Sequence, residues 1–176
     1  MSCTAAIVDE NGKVLIGGTG PQWEVEGPGW KAAAVGEPRY CQICQFDLDC
    51  PALSDETGFE SGDKALHPRK RIKKHLVSEV VPALMRVLEK GGHLIGEKGK
   101  GKCHANGQML IAVGANLFVI DRDFEVQGPV PYACIGPSLK AGSALGMFYA
   151  TRRSRKIAEQ RLKLALEASE KAPAGE

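Results

Sequence analysis

No apolar run in this 176-residue chain approaches the roughly 20 residues that a membrane-spanning helix needs, so no bilayer crossing is expected. The first residues lack a basic segment followed by a continuous apolar stretch, which predicts that the chain is not exported. An excess of charge of either sign is also lacking. The formal net charge is +2, too small to point to a polyanionic partner, and nucleic-acid binding is not expected. Six cysteines without an export signal read as reduced thiols in a cytoplasmic compartment. What remains is ordinary for a folded domain, with 43% hydrophobic and 25% charged residues. At this length a single domain over 1–176 can build a core without disulfide staples.

The N-terminus is the most informative stretch. Ser2 follows Met1 directly, and residues 3–9 and 13–18 form two β-prone runs around Glu10-Asn11-Gly12, the signature of a tight hairpin. A methionine before so small a residue is normally removed, which would leave Ser2 with a free α-amino group. That group titrates near pH 8 and can act as base for the hydroxyl of the same residue. The plainer reading is that Ser2 is an exposed strand start.

Farther along, residues 19–29 read as a glycine- and proline-rich loop with a short strand at Trp23–Glu26. Trp30–Val35 is a candidate strand, and Gly36-Glu37-Pro38 turns into a helix from about Arg39. Residues 50–70 form a long surface connection. The pattern of Leu76, Val77, Val80, Val81, Leu84, Val87 and Leu88 predicts a helix over 72–90, kinked by Pro82 and ended by Gly91-Gly92. Residues 93–107 read as a mobile loop rich in glycine and lysine. Gln108–Val113 and Asn116–Ile120 form a second hairpin, followed by a strand at Pro131–Ile135 and helices at 139–150 and 154–171, with a frayed tail at 171–176. Segregated strand pairs and helices of this kind predict an α+β fold with two packed sheets and helices outside.

Three other clusters compete for a chemical role. Cys41-x-x-Cys44 with Cys50 suggests zinc, but a lone C-x-x-C supplies two of four ligands, and His67 or Cys103-His104 would have to complete the set. Ordinary core thiols are the expectation, with no metal and no cofactor. Arg69, Lys70, Arg71, Lys73 and Lys74 form a dense basic cluster without an aromatic platform, which reads as a solvated helix start or subunit rim. Gly96-Glu-Lys-Gly-Lys-Gly101 lacks the spacing of a phosphate loop.

Several strings, in the same order along nearly the whole chain, resemble the proteasome-like branch of the N-terminal nucleophile hydrolases, the HslV-type peptidases and their bacterial and phage relatives. Met1-Ser-Cys-Thr-Ala-Ala-Ile-Val is similar to that family's Met-Thr-Cys-Ile-Ala-Ala-Ile-Val start, with Ser2 in place of the nucleophilic threonine. Val14-Leu-Ile-Gly-Gly18 resembles its second strand, and Gly36-Glu-Pro-Arg-Tyr-Cys-Gln42 the opening of its first helix. Val81-Pro-Ala-Leu-Met-Arg86 is similar to Ile-Pro-Ala-Leu-Arg of the second helix. Phe118–Val126 resembles the central hairpin leading into the next strand. Tyr132-Ala-Cys-Ile-Gly136 and Ala144 to Thr151 resemble the Ala-Ile-Gly-Ser-Gly and Ala-Leu-Gly-Ala-Leu-Tyr-Ala-Thr segment.

The resemblance implies a four-layer αββα sandwich, like a proteasome β-subunit, with the nucleophile at the start of the first strand. It also implies homo-oligomeric rings and, in some members, an ATP-driven unfoldase as partner. Ser2 is then the expected nucleophile, and backbone amide near Gly36 the expected oxyanion donor.

The departures lie at the supporting groups. Thr19 stands where the family has an aspartate, and residues 21–29 contain no lysine where the family has one, leaving Lys31 as the nearest candidate. Pro137 replaces a supporting serine, with Ser138 one position on. Two functions follow from the resemblance: a peptidase subunit acting through Ser2, or a catalytically silent copy of the fold serving as a ring-forming or virion protein.

Overall fold

The computed structural model describes residues 3–19, 23–27, 30–35, 68–90, 92, 94–96, 104–105 and 107–173; for 23–27, 30–35, 68–71, 87 and 90 it describes the backbone alone. The expected helix from Arg39, the 50–67 connection, Cys41, Cys44, Cys50, His67 and Cys103 lie outside these residues.

The first hairpin joins β1 (Thr4–Val8) to β2 (Val14–Gly18), pairing Thr4 with Gly18 and Val8 with Val14. Its turn is held locally. Asp9 Oδ1 accepts the backbone N–H groups of Asn11 and Lys13, both at 2.8 Å, and Gly12 takes the left-handed conformation, φ +78°, that a side chain would resist. β3 (Trp23–Gly27) and β4 (Trp30–Val35) follow.

The helical stretch begins at Pro68, four residues earlier than the apolar pattern suggests. It runs as α1 (Pro68–His75), a π-helical segment Leu76–Val80, and α2 (Val81–Lys90). Pro82 has no N–H to give the carbonyl one turn back. The chain widens just before it, and the N–H of Val81 reaches five residues back to the carbonyl of Leu76. The extra residue shifts the helical phase. Leu76, Val80, Val81, Leu84 and Leu88 are buried, but Val77 is turned out with 52% of its surface exposed, contrary to the uniform period assumed from sequence.

Within 93–107, β5 (Leu94–Ile95) pairs with β6 (His104–Ala105). Then come β7 (Gln108–Val113), β8 (Asn116–Ile120), β9 (Val126–Val130) and β10 (Tyr132–Ile135). The resemblance of Phe118–Val126 to a hairpin leading into a next strand implies β9, although Gly128 and Pro129 interrupt its local pattern. Two helices close the described chain, α3 (Ser138–Ala150) and α4 (Ala158–Lys171).

All strand pairs are antiparallel. One sheet has the order β10-β1-β2 and a second the order β3-β4-β7-β8-β9. Alternate residues of β1, β2, β7, β8 and β10 serve different cores, as the two-residue period of a strand requires. Met109, Ile111, Val113, Phe118 and Ile120 pack with Leu76, Val80, Leu84 and Leu88 of the 68–90 helices. The opposite-facing Leu110, Ala112 and Leu117 pack with Ala6, Val14, Ala133 and Ile135 of the three-stranded sheet. That sheet's other face, Cys3, Ala5 and Ile7, packs with Ala144 and Phe148 of α3 and with Leu162 and Ala165 of α4. Gly17 lets α4 lie close on β2, since a Cβ there would meet Leu166 at 3.0 Å. The fold is α+β, with antiparallel sheets and helices packed on them. Among the described residues no helix is long and apolar enough to cross a membrane.

Candidate functional site

Strand β1 is central in its sheet, so its beginning has a neighbour on each side. On one side β2 ends at Gly18 and continues into Thr19. The N–H of Thr19 donates to the carbonyl of Cys3 at 3.0 Å. The return bond is made differently: the N–H of Cys3 donates to the side-chain Oγ1 of Thr19, also at 3.0 Å. A hydroxyl thus takes the place of a backbone carbonyl as the last acceptor of the ladder.

On the other side Thr4 pairs with Ile135 of β10. The chain leaves Ile135 through Gly136, φ +135°, and Pro137, and enters α3 at Ser138. Ser138, exposed, and Lys140, half-buried, therefore occupy the first turn of a helix that starts beside the head of β1.

Around Cys3 the surroundings are buried and polar in an unusual way. The Cys3 thiol is fully buried, and burial pushes its pKa up; the Ser169 hydroxyl and the Lys140 ammonium oppose that rise. Ser169, also fully buried, has no hydrogen bond of normal geometry, so its effect on the thiol is that of a nearby dipole. Cys134 belongs to the same neighbourhood. Its thiol is pushed far up, first by burial and then by Cys3. Both cysteines are free and stay protonated, which suits core thiols rather than nucleophiles. On the inter-sheet face, Thr4 is completely buried and its Oγ1 has no hydrogen-bond partner.

The sequence candidates distribute unevenly over this arrangement. Ser2 and Gly36 lie outside the described residues. Thr19 is at the head of β1 and touches it. Ser138 is on the adjoining corner. Lys31 is on β4, in register with Glu26 and with Ala112, and its side chain is not among those described. Sequence reasoning missed Lys140, Ser169 and the orphaned hydroxyl of Thr4. Lys140 carried a signal: it is the one charged residue in the 13-residue sequence of α3. Among the described residues no three His, Cys, Asp or Glu side chains gather as a metal site.

Solved structures share this architecture. Over 95% of this chain and 88% of the other, it is similar to BPH from Thiobacillus denitrificans, with 18% identity and a TM-score of 0.59. The same protein in complex with epoxomicin matches with 19% identity and a TM-score of 0.61, over 94% of this chain and 88% of that one. The fold is proteasome-like. Anbu from Hyphomicrobium sp. strain MC1 matches 96% of this chain and 73% of its own, at 13% identity and a TM-score of 0.50. No protein-family model matches the chain, and no curated protein does. At such identities the proteasome-like likeness is one of fold, and the residues at the head of β1 must carry any further reading.

Proposed function

We propose that this chain is a proteasome-like peptidase subunit of the N-terminal nucleophile type, with Ser2 as nucleophile after removal of Met1. The observation that supports it most is the likeness over 94% of the chain to a protein that binds epoxomicin. On this reading the three cores are the interlayer contacts of a four-layer αββα sandwich, and the head of β1 is its active end.

The neutral α-amine of Ser2 takes the proton of the Ser2 hydroxyl as its oxygen bonds to a peptide carbonyl carbon. The carbonyl electrons move onto oxygen, where a backbone N–H near Gly36 stabilises them. Collapse breaks the C–N bond, and the departing amine takes the proton from the α-ammonium. Water then hydrolyses the Ser2 ester by the same route. Thr19 holds the strand that carries Ser2, while Lys31 and Ser138 are supporting candidates. Assembly into a homo-oligomer, an ATP-dependent unfoldase as partner and a cytoplasmic site of action belong to the same reading.

A second reading is favoured by Thr19 itself. Its side chain offers a hydroxyl and no carboxylate, and that oxygen already accepts the Cys3 N–H. A catalytically silent ring or virion protein tolerates that exchange, and the loss of the serine at Pro137, better than an enzyme does.

Intact-mass analysis before and after a peptidyl epoxyketone or vinyl sulfone separates the two. A peptidase shows loss of Met1 and one adduct, and Ser2→Ala removes the adduct altogether. Retained Met1 without an adduct sinks the peptidase; an adduct that survives Ser2→Ala reassigns the nucleophile to a thiol.

A further inference from the structure

At the end of β1 away from Cys3, three turns enclose a cleft of about 310 Å³ between the two sheets. Its lining includes Val8 and Asp9 of the first hairpin, Asn116 of the second, and Pro129, Val130 and Pro131 of the β9–β10 connection. Its side chains are apolar apart from Asp9 and Asn116. Pro129 and Pro131 have no N–H, and those of Val8 and Asp9 already donate to the carbonyls of Pro131 and Lys13. Asp9 Oδ1 holds the turn, while Asp9 Oδ2 and Asn116 Oδ1 receive no hydrogen bond among the described residues. Such a cleft suits a cation on an apolar stem.

The same end of the molecule carries cations that lack partners. Tyr132 pairs with Ile7 next to this cleft, and the Arg161 guanidinium lies over the Tyr132 ring, 5.8 Å from its centroid. Arg161 also bonds the Phe148 carbonyl at 3.0 Å and Thr151 Oγ1 at 3.3 Å, which places the connection between α3 and α4 here. That connection is stiff. The Ser154 N–H and hydroxyl both donate to the Thr151 carbonyl, at 3.0 and 2.7 Å, and the Thr151 hydroxyl donates to the Met147 carbonyl at 2.8 Å. It exposes Arg152, Arg153, Arg155 and Lys156. Arg152 lies over the Tyr149 ring, but Arg153, Arg155 and Lys156 have no acidic partner among the described residues. Like charges this close repel, and a carboxylate from outside relieves that repulsion.

We propose that this end of the molecule binds a second copy of the chain about a two-fold axis, each 152–156 turn placing a guanidinium or ammonium in the Asp9 cleft of the other copy. Pairing of identical surfaces requires both halves of the contact on one face. The sheet β10-β1-β2 supplies that arrangement, with the cationic turn on its helix side and the cleft on its inter-sheet side. Glu10 and Lys13, exposed on the same hairpin turn, offset each other and leave Asp9 as the charge of the cleft. The contact leaves the head of β1 open and does not depend on Ser2 being a nucleophile.

Sedimentation velocity measures the contact. Native protein should show a concentration-dependent doubling of particle mass that added NaCl reverses. Asp9→Asn keeps an acceptor for the turn, removes the charge, and should weaken the doubling by about tenfold. The triple variant Arg153→Glu, Arg155→Glu, Lys156→Glu should abolish it. Asp9→Lys protein should not double alone either, but mixing it with the triple variant should restore doubling, because each contact then joins opposite charges. Thermal transitions confirm that each variant is folded.

No doubling at any concentration overturns the proposal, as does doubling that survives both kinds of substitution, or a mixture that restores nothing. Loss in the triple variant but not in Asp9→Asn also overturns it, since the cations then meet another surface. Doubling that nuclease treatment abolishes assigns the cations to a polyanion and overturns it as well. Epoxyketone labelling should be the same in Asp9→Asn as in native protein, so failure here leaves the peptidase reading untouched.

Discussion

The two ends of β1 are built on different principles. At the turn end most devices are local: Asp9 satisfies the N–H groups of Asn11 and Lys13, and its own N–H bonds the Lys13 carbonyl at 2.8 Å. One distant bond joins them, from the Val8 N–H to the Pro131 carbonyl at 2.9 Å. At the other end the partners come from far away. Cys3 is held by Thr19, Thr4 pairs with Ile135, and Ser169 and Lys140 approach from the last two helices. Two buried hydroxyls there, on Thr4 and Ser169, lack hydrogen-bond partners. A buried polar group without a partner is costly, on the order of 1–3 kcal/mol. The cost is concentrated at one end of the strand, which is where a functional site is expected to tolerate it.

Substitutions at the two ends should behave differently, and the sharpest contrast involves Thr19. Thr19→Val keeps the shape and removes the acceptor of the Cys3 N–H. A loss of about 1–3 kcal/mol in urea unfolding is expected, with slower epoxyketone labelling, and Thr19→Ser should recover both. If labelling is untouched while stability falls, Thr19 serves the sheet alone.

Asp9→Ala, at the turn end, removes two exposed side-chain bonds and should cost about 1 kcal/mol. Labelling of the folded protein should not change. A change of comparable size at both ends would erase the distinction between them.

Thr4→Val has the smallest expected effect on stability, from neutral to about 1 kcal/mol stabilising, because it removes a hydroxyl that has no partner. A destabilising result would mean that the hydroxyl is satisfied in solution. Slower labelling at undiminished stability would tie this hydroxyl to the chemistry.

Both hairpins were readable because their information is local: Asn11-Gly12 and Gly114-Ala115 each sit between β-prone runs, and the structure pairs those runs as expected. Strand β4 was readable for the same reason. The 68–90 helix was readable as a helix but not in its phase. A uniform period places Val77 in the core, and only the five-residue bond from Val81 to Leu76, set by Pro82, turns it outward. Thr19 was found through a family pattern, yet its role as a backbone acceptor followed from the pairing alone. Lys140 escaped notice because its neighbour in space, Cys3, is at the opposite end of the chain.

The sequence by itself determined the alternation of strands and helices and the tight turns, since these depend on contacts within a few residues. Only the tertiary structure decided what surrounds the head of β1. Placing β10 beside β1 brings residues 4 and 135 into one ladder, and with them the start of α3 and its single charge. Such long-range pairing leaves no local pattern, because each strand satisfies its own periodicity whichever neighbour it receives.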